Sequence, residues 1–552
     1  MGIFIFLAAP LLFVALRLIQ ELVFRITKTR FFRQLSSSAS GKRPPTVPYH
    51  SPGFFHSFGI RQQGRADFLA NILAEYDGSA PFVVKDGPLS AHVVVRDPDH
   101  ITRILEANQF KPEGHHVRLI NEFNRSGKEN PKAISSNNPV QNKDMEIARS
   151  DLPRKYLSGN DSTPLVRNYE AALFNNMDGK MFQVRTWTEI EDLFSFLSLE
   201  ISRALVVALL GTEKLKRNPR FIRDLMELNK NVDGMERGLP RIMIPKAYDA
   251  RDSLHAMIVQ HLQSIQTCDE SVLGGPDDVW NAYRGSKLLR LRDETISKIY
   301  KHDDDRAAGV LTFIQQTTME IAPSAFWCLL EALRDENLMF KLRKEIVPPQ
   351  YDGGRSFRPH SELRTHPIIQ SMQAEVERLR IASCITRTNE GNDFKLDDSW
   401  TIPRGARVMI LSRPLALDST LWHRARPQTT QKHLSTFWAE RFLVPREDAE
   451  HWMGNDLKRK FSLEGLESLM TAFGRGPHVC PGREFAKAIQ VATLEVLLAG
   501  YEAQLSDPES VELSLPSART LAYGRVEPLA PVRVRLRKRG PSTPSDPLVR
   551  RP

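Results

Sequence analysis

Apolar positions along the chain fall into three kinds of run. Residues 2–24, GIFIFLAAPLLFVALRLIQELVF, are apolar almost without interruption, broken only by Arg17, Gln20 and Glu21, and Arg25, Lys28, Arg30 and Arg33 follow at once. This pattern predicts one membrane helix. Its clean apolar stretch falls short of the roughly 20 residues that cross a bilayer, so Arg17 has to snorkel or the segment lies partly in the interface. The basic residues on its C-terminal side place that side, and everything after it, in the cytosol. Two long stretches, 186–211 and 307–346, carry apolar residues at helical spacing. Shorter runs read as strands: APFVVKDG, SAHVVVRD, ARVMILS and VRVRLRKR. The expected fold is mostly α, an α+β arrangement with small peripheral sheets.

The same pattern divides the chain. Residues 1–24 form the anchor, and 25–48 a basic, Ser- and Pro-rich linker of semi-rigid character. Residues 49–538 form the folded body, and 539–552 a basic tail read as disordered. The stretch 124–144, NRSGKENPKAISSNNPVQNKD, has no apolar period and reads as a surface loop.

Composition adds two exclusions. Of 552 residues 41% are hydrophobic and 26% charged, enough for a large core. The net charge of +10 gathers in RITKTRFFR near the start and in RVRLRKRG and VRR at the finish, so it is read as membrane-facing or solvated and no nucleic-acid partner is expected. The four cysteines, Cys268, Cys328, Cys384 and Cys480, lie far apart with no CxxC pair, which offers neither a zinc site nor a disulfide framework and fits a reducing compartment.

One cysteine has unusual surroundings. In TAFGRGPHVCPGREFAKA, Gly474, Gly476 and Gly482 let backbone come close to Cys480, and Pro481 and Gly482 turn the chain into a run of helical spacing. A cysteine at a helix start sits where the dipole favours an anion, and a thiolate needs a positive charge or a metal beside it. The arrangement suits a single axial metal ligand. A lone cysteine is otherwise most often an inert, buried side chain.

Phe473, Gly474, Gly476, His478, Cys480, Pro481, Gly482 and Arg483 match, without a gap, the signature FGxGxHxCPGR of the cytochrome P450 family, and the chain resembles a member of it. Glu375, Arg378 and Leu379 in AEVERLR resemble the family's ExxRL motif; Glu377 and Arg380 offer a second ExxR, but the Leu after Arg378 favours the first pair. FWAERFL resembles the PERF stretch, which makes Arg441 the third member of a charged network with Glu375 and Arg378. The resemblance implies the P450 fold, haem as cofactor and Cys480 as its axial iron ligand. It implies that His478 and Arg387 pair with the haem propionates, with Phe473, Gly474, Gly476 and Gly482 shaping the cofactor loop. Arg154 and Lys155 are candidates for the partner that a tryptophan-containing helix supplies elsewhere in the family.

The departure lies in the long helix. Most P450 monooxygenases carry an acid–alcohol pair there, AGx(D/E)TT, which relays protons; register places the pair at Glu320 and Ile321, with no threonine at the alcohol position. Thr317 and Thr318 come about a turn earlier and reach the pocket only if the helix shifts or bulges, for which a break at Pro323 is the expected means. Glu320 is then the candidate for proton delivery or for orienting water. The element Pro323, Phe326, Trp327 and the RLRIASCITR stretch resemble the branch with sterol 7α- and 12α-hydroxylases and prostacyclin synthase. The resemblance implies a membrane monooxygenase of the endoplasmic reticulum with its catalytic domain cytosolic. NADPH would act through a P450 reductase, with cytochrome b5 as a further partner, and the substrate would be a lipophilic terpenoid, sterol or related secondary metabolite. The alternative is a haem-thiolate isomerase or dehydratase that takes a peroxide and needs no redox partner.

Overall fold

The computed structural model describes residues 2–112, 139–347, 360–447, 458–515 and 524–540, save a few isolated positions. It divides into two compact units. Most of the 124–144 insertion and the tail beyond 540 lie outside the described residues, although Pro139–Glu146 is helical rather than loop.

The first unit comprises residues 1–113, 382–427 and 465–480. Its opening helix, α1 (Gly2–Ser36), runs on past residue 24 through a dozen positions expected as linker. Phe31 explains the extension: it is 2% exposed, packed with Val47, Leu69 and Phe82, and its ring meets Tyr76 at 5.0 Å. The earlier apolar residues behave oppositely, Leu12, Phe13, Val14, Leu16, Leu18, Ile19 and Leu22 all being exposed. The Ser- and Pro-rich segment after α1 is strapped down: the Gly41 N–H donates to the Asp398 carbonyl at 2.9 Å, and the Lys42 ammonium lies 4.4 Å from the Trp400 ring.

All four runs expected as strands are strands. In the first unit β1 (Phe82–Lys85), β2 (Ala91–Val95), β3 (Phe110–Pro112), β4 (Cys384–Asn389) and β5 (Arg407–Leu411) make one sheet in the order β1–β2–β5–β4–β3. β5 is parallel to β2, with Val408 opposite Val93, and antiparallel to β4, with Val408 opposite Arg387. Alternation across the pleat sends Val93, Val95, Val408 and Ile410 into one apolar cluster and Val94, Met409 and Leu411 into another. A sheet covered on both faces needs strands apolar at every position, which is why VVV and VMIL read as unbroken runs.

The second unit comprises residues 114–381, 428–464 and 481–552. Its frame is α2 (Leu193–Leu210), α3 (Asp303–Arg334), α4 (Pro367–Arg380) and α5 (Arg483–Gly500), with α3 packed against the other three. α2 is as long and apolar as a membrane span, but its side chains are mostly buried in the core. The run 186–211 is not helix throughout: Thr188–Ile190 is a strand beside Val534–Lys538. Asp192 then caps α2 by accepting from the Phe194 and Ser195 N–H groups at 3.0 and 3.2 Å. Likewise 307–346 is two helices, because Asp335 caps a new one (Glu336–Ile346) by accepting from the Leu338 N–H.

α3 itself is continuous, and the break expected at Pro323 is absent. Proline removes one N–H and crowds the preceding turn. Here Pro323 and its neighbours Ile321, Ala322, Ser324, Ala325, Phe326 and Trp327 are all buried, and packing carries the helix through.

Candidate active site

The cysteine loop belongs to the first unit. Gly474 and Gly476 have φ of 71° and 69°, values that side chains with a Cβ avoid. The Gly474 N–H donates to the Thr471 carbonyl at 2.8 Å, the Val479 N–H to Gly476 at 3.2 Å and the Cys480 N–H to Phe473 at 2.9 Å. The three bonds wind the chain so that Cys480 leaves the turn half-buried and outside any disulfide. At Gly476 a Cβ would lie 2.3 Å from the Leu105 carbonyl oxygen. Gly476→Ala should therefore cost about 1–3 kcal/mol through backbone strain alone and lower the thermal midpoint, measurable by calorimetry.

Arg387 on β4 holds this loop. It is 8% exposed; its Nη2 donates to the His478 carbonyl at 3.2 Å and its Nη1 to the Thr386 carbonyl at 2.9 Å. Ser383 adds a bond from its hydroxyl to the Ala472 carbonyl at 2.7 Å. A soft, half-open thiol, an arginine and a histidine gathered around glycine turns form a donor set suited to a metal with anionic substituents. The residues present thus fit an iron porphyrin bearing carboxylates. Phe473 and His478 are half-buried in the same loop. Gly482 stands at the N-cap of α5, which starts at Arg483, three residues beyond the cysteine. Arg154 and Lys155 are exposed to solvent, and Arg154 donates to the Ser150 hydroxyl at 3.3 Å.

In the second unit Glu375, Arg378 and Arg441 come together, all fully buried. Arg378 donates through Nε and Nη2 to the two Glu375 oxygens, each at 2.8 Å, and on to the Leu434 carbonyl at 2.7 Å. Arg441 donates to Glu375 Oε1 at 2.9 Å. Its other nitrogens reach the carbonyls of Thr429, Lys432, His433 and Thr436. Burial by itself would raise the Glu375 pKa, but the two guanidiniums outweigh it and hold the carboxyl below its ordinary value. The second ExxR does not pair internally. Arg380 donates to Glu331 on α3 and lies 4.2 Å over the Trp327 ring, while Glu377 faces Arg483 and Lys487 at 3.9 Å. Glu331 is the partner that pattern reading missed; the signal was a carboxylate inside the apolar run FWCLLEAL, which has to find a cation.

Along the middle of α3 nearly every side chain is buried, except Phe313, Gln316, Thr317 and Glu320. Their spacing of i, i+3, i+4 and i+7 makes them one face. Thr317 donates to the Phe313 carbonyl at 2.7 Å. Thr318 points away: it is buried, donates to the Ile314 carbonyl at 2.9 Å and accepts from Asn229 Nδ2 at 3.3 Å. No bulge is needed, then, for a threonine to share a face with Glu320, but only Thr317 does. Glu320 is exposed on this face, and desolvation by the protein around its carboxyl pushes it up to about 7.

Comparison with known proteins agrees with this reading. The cytochrome P450 monooxygenase fsoE of Humicola fuscoatra is 28% identical over 90% of this chain and 88% of its own length. The monooxygenase efuG of Hormonema carpetanum is 26% identical over 92% and 93%. The monooxygenase calL of Penicillium decumbens is 27% identical over 70% and 72%. The family model for cytochrome P450 matches residues 45–522, and the chain belongs to that family. It is an oxidoreductase of the monooxygenase kind, with haem-thiolate iron as cofactor and electrons drawn from a reduced nicotinamide through a reductase.

Proposed function

We propose that the protein is a membrane-anchored monooxygenase that inserts one atom of dioxygen into a lipophilic terpenoid, sterol or related secondary metabolite. The observation that carries the reading is the cysteine loop, a half-open thiol in a turn that requires glycine and is tied down by Arg387. Haem bound there supplies the redox-active iron that activates dioxygen. Cys480 is the group we assign to hold the iron through its thiolate, and Arg387 and His478 would offer charge-assisted hydrogen bonds to the propionates. The exposed apolar side chains from Leu12 to Leu22, followed by Arg25 and Lys28, support a lipid anchor with the body on the cytosolic face of the endoplasmic reticulum. An NADPH–P450 reductase is the electron donor, with cytochrome b5 a second candidate.

Glu320 is the residue we assign to proton delivery, with Thr317 beside it on the same face. A carboxyl raised to about 7 is half protonated at neutral pH, so the proton donor is present below that pH and lost above it. Product formed per NADPH consumed should therefore fall as pH rises through 7. In Glu320→Gln it should be low at every pH, without that slope; a wild-type slope retained in the variant would remove Glu320 from the relay.

Two measurements test the function. The reduced protein with carbon monoxide should give the Soret band of thiolate-ligated haem. Turnover in isotopically labelled dioxygen should place one labelled atom in the product and should need reductase and NADPH. Turnover of a lipid peroxide without either would make the protein an isomerase, the reading that Ile321 keeps open by standing where the family's alcohol is.

A further inference from the structure

Gln316 and Glu320 lie one turn apart on the open face of α3, and neither side chain hydrogen-bonds to another protein group among the described residues. The rest of that helix treats its polar groups differently. Thr312, Thr317, Thr318 and Ser324 each donate to a carbonyl of the preceding turn, satisfying themselves within the helix. A carboxamide and a carboxyl left open side by side, on a helix whose neighbouring hydroxyls are already satisfied, are held ready for something that enters the space beside them.

The chemistry of that something follows from the cost of desolvation. A pure hydrocarbon laid against these two side chains would remove their water and give nothing back, at about 1–3 kcal/mol for each group left unsatisfied. A hydroxyl both donates and accepts, and Gln316 can meet either role while the Glu320 carboxyl takes the other. Phe313, a turn earlier on the same face, supplies the apolar surface that the remainder of such a molecule needs.

We infer that the substrate reaches this enzyme already oxygenated, and that Gln316 with Glu320 binds a hydroxyl on its carbon skeleton. The inference rests on the reading of this face of α3 as substrate-facing. It places the reaction after a step that installs the hydroxyl, so the enzyme is a later, tailoring oxidase and not the first to act on a hydrocarbon.

Deleting the gene in its own organism and identifying the accumulated compound supplies the probe. That compound should carry at least one hydroxyl; a hydrocarbon, or a molecule whose only polar group is a basic amine, overturns the inference. The haem spectral shift on adding the same compound then gives dissociation constants for wild type and Gln316→Leu, with the carbon monoxide spectrum of the variant verifying an intact fold. Loss of one hydrogen bond should weaken binding about tenfold. The sign decides: were the substrate apolar at this point, leucine would tighten binding, and an equal or lower dissociation constant in the variant sinks the idea. Failure of the underlying reading looks different, since a wild-type protein with no thiolate-haem spectrum has nothing to titrate and both fall together.

Discussion

Glu375→Gln should destabilise the second unit by about 3–5 kcal/mol, because it leaves two buried guanidiniums without their carboxylate. Arg378 and Arg441 are fully buried, and the backbone carbonyls they also reach, Leu434 from Arg378 Nη2 and those of Thr429, Lys432, His433 and Thr436 from Arg441, supply partial charge only. Since a domain is stable by only 5–15 kcal/mol or thereabouts, most of the variant should be unfolded or aggregated at the growth temperature, and urea melts of what remains should show a lowered midpoint. The pH dependence has a definite sign. The Glu375 carboxyl is held below its ordinary value, so its contribution is complete above the unfolded carboxyl's pKa, about 4.3, and is lost as pH falls through the lower folded value. Wild type should lose stability on that acid limb, and the variant should lack that part of the loss. Glu377→Gln is the comparison: its carboxylate stands 3.9 Å from Arg483 and Lys487, and its removal should cost a fraction as much. Equal midpoints for wild type and Glu375→Gln would show that the triad is not what holds these segments together.

Much of this arrangement could be read before the structure, for reasons that differ from element to element. The strands around Val93 and Val408 were legible because a doubly covered sheet demands apolar residues at every position. Glu375 and Arg378 were legible as a pair because helical spacing of three places them on one face, but their link to Arg441 crosses sixty-odd residues and came from family likeness. Orientation within α3 was not legible. Helical spacing puts Thr317, not Thr318, on the face of Glu320, but which face of α3 stays open is settled only by packing, with Thr318 buried against Asn229. Pro323 misled for a related reason: the local cost of proline in a helix is real, but it was outweighed by the burial of the turn around it. The end of α1 was missed because Phe31 looks like one more aromatic in a basic linker until Tyr76 and Val47 are found against it. The Asp335 cap, in contrast, carries a readable signal in RDENL that the long apolar period obscured.

Cys480→Ser should leave a folded protein without its chemistry. Backbone bonds and glycine turns shape the loop: the Cys480 N–H to Phe473 bond, the Gly474 and Val479 bonds and the Arg387 hold on His478 all persist when Sγ is replaced by a hydroxyl. Serine has the same shape with one smaller atom, so its cost to the apoprotein should stay within about 1 kcal/mol. What changes is the ligand. A thiolate is soft, polarisable and anionic near neutral pH beside a metal, whereas a serine hydroxyl is none of these. The variant should keep its apoprotein melting temperature within a few degrees, lose the thiolate band in the reduced carbon monoxide spectrum, and turn over at the background rate. A sulfur that merely filled space would produce the reverse, a shifted melting temperature with spectrum and turnover intact. Because the loop's backbone and its side chain carry separate burdens, Gly476→Ala and Cys480→Ser should fail in opposite ways: the first through the fold with the ligand still in place, the second through the ligand with the fold still in place.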